Sequence, residues 1–154
     1  MLSTLKISDQ FINTIPDLII KTIISNEKKI RKTISVFDST GDEINFKYYF
    51  NRITSLSEAE KPTIITSLIL IDRFINKSNI VLTYKNINKI FFISFYICLK
   101  HLEDVIFTIH DFSKISGMST RQISFLENVF LEAIDFRFPV NSDIYYMYLL
   151  RLLN

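Results

Sequence analysis

The sequence has few of the residues that break or turn a chain. Its 154 residues include only two glycines and three prolines, and no tryptophan. Sheet proteins need turn residues at short intervals, so this scarcity favours long helices over sandwiches and barrels. Hydrophobic residues make up 48% of the chain and charged residues 22%, which argues against disorder over most of its length. We therefore expect one all-α domain with a core of its own.

The chain also has only one cysteine and a small net charge. The single thiol, Cys98, excludes an internal disulfide and fits a reducing, intracellular compartment, nuclear or cytoplasmic. Its position in an apolar run indicates a buried small hydrophobe rather than a nucleophile. The net charge of +2 provides no general attraction to nucleic acid or to a membrane surface. The longest apolar runs, 63–75 and 87–99, contain charges and fall short of the roughly 20 residues that cross a bilayer.

Motifs of enzymes and metal sites are missing as well. His101 and His110 are the only histidines, and neither stands in a His-Glu-x-x-His motif. The chain has no glycine-rich phosphate loop, no Cys-x-x-Cys pair and no nucleophile elbow. Glu103 and Asp104 suggest a metal corner beside His101, but acids at a helix end usually belong to a solvated turn. We expect no catalytic residue, no metal and no cofactor.

Hydrophobic periodicity predicts seven helices. Apolar residues recur at three- and four-residue steps over about 14–34, 44–55, 57–76, 83–101, 108–117, 119–135 and 144–153. The third and fourth of these are apolar almost all round, which is typical of helices at the centre of a bundle.

Start and stop signals refine these bounds. Pro16 suits the first turn of the first helix, Thr83 suits the cap of the fourth, and Gly117 suits the end of the fifth. The Ser-x-x-Glu spacing at 57–60 and the Ser-x-x-Gln spacing at 119–122 predict capping boxes for the third and sixth helices.

Four charged residues interrupt apolar patterns, and an unpaired buried charge is costly. Arg52 and Asp72 lie on helices expected to pack together, so an ion pair between them would satisfy both; two surface charges are the alternative. Lys100 and Glu127 each stand beside an apolar face. Periodicity alone leaves these two as an ordinary solvated rim or as parts of a binding surface.

The stretches YYFNRITSLS, TIITSLILIDRFINKSNIVLT, NINKIFFISFYICLKHLED and DFSKISGMSTRQISFLENVFLEAIDFRF stand in one order and register. They resemble the cyclin box, the five-helix unit by which cyclins bind cyclin-dependent kinases, and most of all the single-box P-type cyclins. The resemblance runs from about Asn13 to Val140. It implies an N-terminal helix over 1–35 packed on the box, a cyclin box over 36–140, and a C-terminal helical segment over 141–154. A second box and the MRAIL-like hydrophobic patch of many cyclins are absent.

The resemblance also implies roles for the four charges. Arg52 and Asp72 match the internal pair that braces the first box helix against the second. Lys100 and Glu127 match the pair that hydrogen-bonds the kinase near the start of its αC helix. Positions of the surrounding pocket for that helix match His101, Asn128, Leu131, Phe136 and Phe138. For the three hydrophobes among them, ordinary core packing is the alternative.

Three functions compete at this point. The resemblance implies a non-catalytic subunit that binds and activates a cyclin-dependent protein kinase, with no nucleic acid or membrane as partner. The alternative is a cyclin-fold adaptor in transcription that binds other proteins or DNA, although the near-neutral charge argues against DNA. A small-molecule-binding helical regulator comes third. The isolated chain is expected to be a monomer or to self-associate weakly through its exposed aromatics.

Overall fold

A computed structural model of the protein describes residues 7–28, 34–41, 44–138 and 140–153. It contains seven α-helices and, within those residues, no strand: α1 Asp9–Glu27, α2 Phe46–Ser57, α3 Lys61–Ser78, α4 Ile87–Leu102, α5 Ile109–Ser116, α6 Thr120–Ala133 and α7 Ser142–Leu153. The predicted all-α fold, with five helices in a run, one before and one after, is confirmed.

The centre of the molecule is the pair α3 and α4, which make the most extensive helix–helix contact. All nine residues from 91 to 99 of α4 are buried, because α2 packs on one side of this helix and α6 on another. The ring of Phe91 lies 5.6 Å from that of Phe46, 5.0 Å from that of Phe50 and 5.7 Å from that of Phe95. Aromatic side chains of this size contribute much of the apolar area that holds the helices together.

The first helix begins earlier than its sequence signals predicted. Ser8 caps α1 by accepting a hydrogen bond from the backbone N–H of Phe11 at 3.0 Å, so Pro16 lies buried inside the helix and not in its first turn. The helix ends at Glu27, and the predicted end at Ile34 is wrong. The basic stretch 28–32 lies, beyond Lys28, outside the described residues.

The start of α3 depends on a distant residue and not on the predicted capping box. Ser57 belongs to the last turn of α2 and donates to the Ile53 carbonyl at 2.7 Å, while the Glu60 side chain forms no cap. The carboxylate of Glu103, just after α4, accepts from the Glu60 N–H at 3.1 Å and from the Thr63 hydroxyl at 2.5 Å. Glu103 therefore ties the end of one central helix to the start of the other.

Of the other predicted helix ends, the cap of α4 is wrong, the cap of α6 is confirmed in part and the end of α5 is confirmed. Thr83 lies one turn before α4, whose N-cap is Asn86, so its predicted role as the cap is wrong. Ser119 caps α6 by accepting from the Gln122 N–H at 3.1 Å, which is half of the predicted capping box. Gly117 ends α5 with a φ of 75°, a conformation that glycine adopts without strain.

The last helix packs along the central pair. α7 contacts α3 and buries Leu149 against the core. Over the residues described, none of the helices combines the length and the apolar character needed to cross a bilayer.

Candidate functional site

Lys100 and Glu127 meet where α4 packs against α6. Lys100 is the first exposed residue after the buried run of α4, and Glu127 lies in the middle of α6. The Lys100 ammonium forms an ion pair with the Glu127 carboxylate, and the two side chains are 36% and 17% exposed. A partly exposed pair of this kind contributes only about 0–1 kcal/mol to stability. Both charges therefore sit at the edge of the core, within reach of a partner.

The Lys100 ammonium also lies over an aromatic ring. Its Nζ stands 4.5 Å from the centroid of Tyr96, one helical turn earlier on α4. Burial raises the pKa of the Tyr96 hydroxyl; Lys100 opposes this rise and Glu127 adds to it. Tyr96 is a member of the site that the sequence pattern did not single out, although its four-residue spacing from Lys100 was the available signal.

His101 connects this edge to the segment that follows α6. Its exposed ring stacks on that of Phe138, with 4.3 Å between centroids and 26° between planes. Its Nδ1 lies 2.7 Å from the Ile97 carbonyl oxygen, which can only accept, so Nδ1 is the donor and, in the neutral ring, Nε2 is the acceptor. The ring is thus held in one orientation from two sides.

The other predicted pocket residues divide into two groups. Leu131 and Phe138 are half-buried and pack on the core, so each combines a core contact with an open edge. Asn128 is exposed on α6, and Phe136 is 63% exposed, which rules out the core alternative for Phe136. Within the described residues the Phe136 ring makes no ring–ring contact; it lines a separate cleft beside Ile134. The structure thus joins Lys100 to Glu127 and, at the next residue along α4, His101 to Phe138, whereas Phe136 lines a separate cleft.

The predicted bracing pair of Arg52 and Asp72 is wrong. Arg52 is exposed, and its Nε donates to the Ile115 carbonyl at 3.2 Å, which links α2 to α5. Asp72 lies beside the Tyr148 side chain of α7, and no ion pair joins it to Arg52 in the part of the chain described. The reason is packing: α2 lies against α1, α4 and α5, whereas Asp72 faces α7.

Asp72 instead lines an apolar cavity of about 290 Å³ between α1, α3 and α7. The residue as a whole is exposed, but its carboxyl lies against the cavity wall; this partial burial raises the pKa of the carboxyl, and the nearby Tyr148 hydroxyl partly offsets that rise. Tyr148 is a second residue that the sequence pattern missed, because nothing local links the last helix to position 72.

The single cysteine takes no part in this site. Cys98 is fully buried, and burial raises the pKa of its thiol, so it remains protonated at neutral pH. Among the residues that the structure describes, no three His, Cys, Asp or Glu side chains are grouped so that they could hold a metal ion.

Comparison with known proteins identifies the family. The cyclin family model matches residues 5–138. Cyclin-P3-1 of Oryza sativa subsp. japonica is 23% identical over 128 residues, which cover 82% of this chain and 54% of that protein. Cyclin-U4-2 of Arabidopsis thaliana is 26% identical over 124 residues, covering 79% and 57%, and Cyclin-U2-1 of Arabidopsis thaliana is 25% identical over 144 residues, covering 89% and 65%.

The chain spans a little over half the length of the first two relatives. The division of the chain at residues 35 and 140 remains a prediction, since the family match runs through the first boundary. Because that match covers most of the chain and the fold has the predicted run of helices, the chain belongs to the cyclin family.

Proposed function

We propose that this chain is a regulatory subunit, without catalysis of its own, that binds a cyclin-dependent protein kinase and activates it by docking the kinase αC helix. The observation that carries the proposal is the Lys100–Glu127 ion pair, which lies partly exposed at the edge of a buried core in a cyclin-family chain. Beside it stands the fixed stack of His101 and Phe138.

The chemistry of this edge suits a docked helix end. A helix leaves backbone N–H groups unpaired at its start and carbonyl groups unpaired at its end. The Lys100 ammonium has three donors and the Glu127 carboxylate two acceptor oxygens, so each keeps capacity beyond their mutual bond. The half-buried Leu131 and Phe138 and the exposed Phe136 supply apolar contacts around them. Charge-assisted hydrogen bonds framed by apolar contacts are a combination typical of interface hot spots.

Docking of the αC helix would account for activation. A protein kinase is active when the glutamate of its αC helix pairs with the catalytic lysine. A partner that binds the helix only in that position shifts the kinase population towards the active state. The surface must be rigid to discriminate between the two positions, and here it stands on α4 and α6, whose facing sides are buried.

Affinity purification tests the proposal directly. The tagged chain is expressed in cells, and the proteins bound to it are identified and assayed for kinase activity. The wild-type chain should recover a cyclin-dependent kinase, and Lys100→Ala or Glu127→Ala should reduce its recovery at least about ten-fold.

The matched control is Lys47→Ala, since Lys47 also forms an exposed ion pair, 3.6 Å from Asp17, but on α2 and α1. This variant should recover the kinase within about two-fold of wild type. If the wild-type chain recovers no kinase, the function is wrong. If it recovers one that all three variants retain equally, the function stands and the assigned surface is wrong.

A further inference from the structure

A second open cleft lies at the far end of α3, where the chain turns after α6. Its volume is about 600 Å³, within the range of small ligand sites. It is lined by three basic residues, one amide and two hydrophobes: Arg73, Lys77, Arg137, Asn76, Ile134 and Phe136. No acidic residue is among them, in a chain whose overall charge is only +2. Positive charge is therefore concentrated on this cleft, as expected of a site for an anionic ligand.

The walls of the cleft are held in place. The Arg73 guanidinium donates through Nη1 to the Arg137 carbonyl at 2.8 Å, which ties α3 to the turn after α6. Ile134 is buried at its base, and the rings of Phe74 and Phe130 stack between α3 and α6 with 4.5 Å between centroids. Arg73 therefore contributes positive charge from a fixed position, as part of the wall.

The turn itself has an unusual backbone. Asp135 and Phe136 both have a φ of 55°, in the left-handed region that residues other than glycine rarely adopt. The N–H of Phe136 donates to the Leu131 carbonyl at 2.8 Å, and this bond helps to hold the turn. Such backbone strain tends to persist at binding sites. Here it turns the Phe136 ring outward beside the basic cleft.

Two of the three cations that line the cleft, Lys77 and Arg137, have no acidic partner among the residues that the structure describes. In the described ranges neither Lys77 nor Arg137, both exposed, has an acidic group within ion-pairing distance. The carbonyl ends of α3 and α6 are nearby, but each helix end carries only about half a negative charge. Asp135 is adjacent in the chain and does not line the cleft. The two full positive charges of Lys77 and Arg137 outweigh these contributions.

We propose that this cleft binds a phosphorylated serine or threonine side chain of a partner protein, with Lys77 and Arg137 as direct ligands. A phosphate ester carries about −1.5 to −2 charges and three acceptor oxygens, which match several converging cations better than a single carboxylate does. The exposed Phe136 contacts an apolar residue next to the phosphorylated one. The proposal goes beyond kinase binding and does not rest on it. Phe136 is shared with the proposed docking surface, whereas Lys77 and Arg137 are not among its residues.

The test uses the whole purified chain and two pools of labelled random peptides. One pool has phosphoserine at a fixed central position, and the other has serine there. Binding of each pool is measured by fluorescence anisotropy. The phosphorylated pool should bind at least about ten-fold more tightly, and the advantage should fall as salt is added. Among the phosphorylated peptides, those with an apolar residue beside the phosphoserine should bind most tightly.

The double substitution Lys77→Gln/Arg137→Gln should remove this advantage. Its matched control is Lys21→Gln/Arg121→Gln, which removes the same charge from exposed positions on α1 and α6. The control should retain binding within about two-fold, since distant surface charges are largely screened.

Three outcomes would overturn the proposal: equal binding of the two pools, no binding of either, or equal losses in the two double variants. Circular dichroism of each variant ensures that a loss of binding is not a loss of fold. Kinase recovery by Lys77→Gln/Arg137→Gln, measured in parallel, separates this cleft from the docking surface.

Discussion

The two parts of helix α4 differ sharply in burial. Over residues 91–99 every side chain is buried, whereas Lys100, His101 and Leu102 in the last turn are exposed. The buried part is surrounded by α2, α3 and α6, and the exposed part stands where that packing ends. One helix therefore supplies both the core and the edge of the candidate docking surface. We therefore expect substitutions to separate the stability of the fold from the proposed binding.

The largest effect should come from truncating a ring in the buried part. Phe91→Ala removes a fully buried side chain that contacts three other rings, so we expect it to lower the free energy of unfolding by about 3–5 kcal/mol. Phe136→Ala is the same chemical change at an exposed position and should cost within about 0.5 kcal/mol. Urea unfolding of both variants measures the difference, and similar losses would contradict this division of the molecule.

A smaller effect is expected where Glu103, just after α4, caps the start of α3. Glu103→Ala removes the acceptor for the Glu60 N–H and the Thr63 hydroxyl at the start of α3. Loss of an N-terminal cap costs about 0.5–2 kcal/mol. The neighbouring Asp104 is exposed, so Asp104→Ala should be nearly neutral in the same thermal or urea measurement. Equal effects would show that charge near this turn matters and capping does not.

Asp72 should respond to substitution with the opposite sign. Burial raises the pKa of its carboxyl in the folded state, so the folded chain holds the proton more tightly than the unfolded chain does. The ionised carboxylate therefore opposes folding. This penalty is absent below the unfolded pKa of about 3.9, appears as pH rises towards the folded pKa, and is complete above it.

Asp72→Asn should accordingly raise the free energy of unfolding slightly at neutral pH, since the amide is uncharged. The gain should disappear at about pH 3, where the wild-type carboxyl is protonated in both states. Urea unfolding at several pH values tests this. A large loss of stability at neutral pH would instead restore a bracing role for the carboxylate.

The smallest effect on stability should belong to the ion pair that we assign to binding. A double-mutant cycle with Lys100→Ala and Glu127→Ala should yield a coupling free energy of about 0–1 kcal/mol, because both side chains reach solvent. The same cycle on Lys47 and Asp17 is the comparison at an unrelated surface. A coupling of several kcal/mol at Lys100 and Glu127 would make this pair structural and would weaken its assignment to docking.

Local pattern was sufficient for much of the fold because helices are determined largely by nearby residues. The all-round apolar character of residues 63–75 and 87–99 predicted the buried pair α3 and α4. Gly117 and Ser119 were correctly assigned to helix ends, since their hydrogen bonds join residues only a few positions apart. The register of the motifs also assigned Lys100 and Glu127 to one site, and the structure brings their side chains together; their binding to a kinase stays a prediction.

Two of the failures have the same physical cause, which is that long-range partners leave no local signal. The cap of α3 comes from Glu103, 43 residues from Glu60, so no spacing within residues 57–60 could reveal it. Asp72 lies beside Tyr148 on α7 and not beside Arg52, because the packing of α3 against α7 decides which face of the helix meets which neighbour.

The sequence by itself determined that this chain is all-helical, which two helices form its centre, and that it belongs among the cyclins. Apolar periodicity and motif order, both readable along one dimension, carry that information. Only the tertiary structure decided which charges meet, that Phe136 faces outward on a left-handed turn, and that Arg73, Lys77 and Arg137 line one cleft. Residues 60 positions apart become neighbours only after helices pack, and their chemistry emerges at that point.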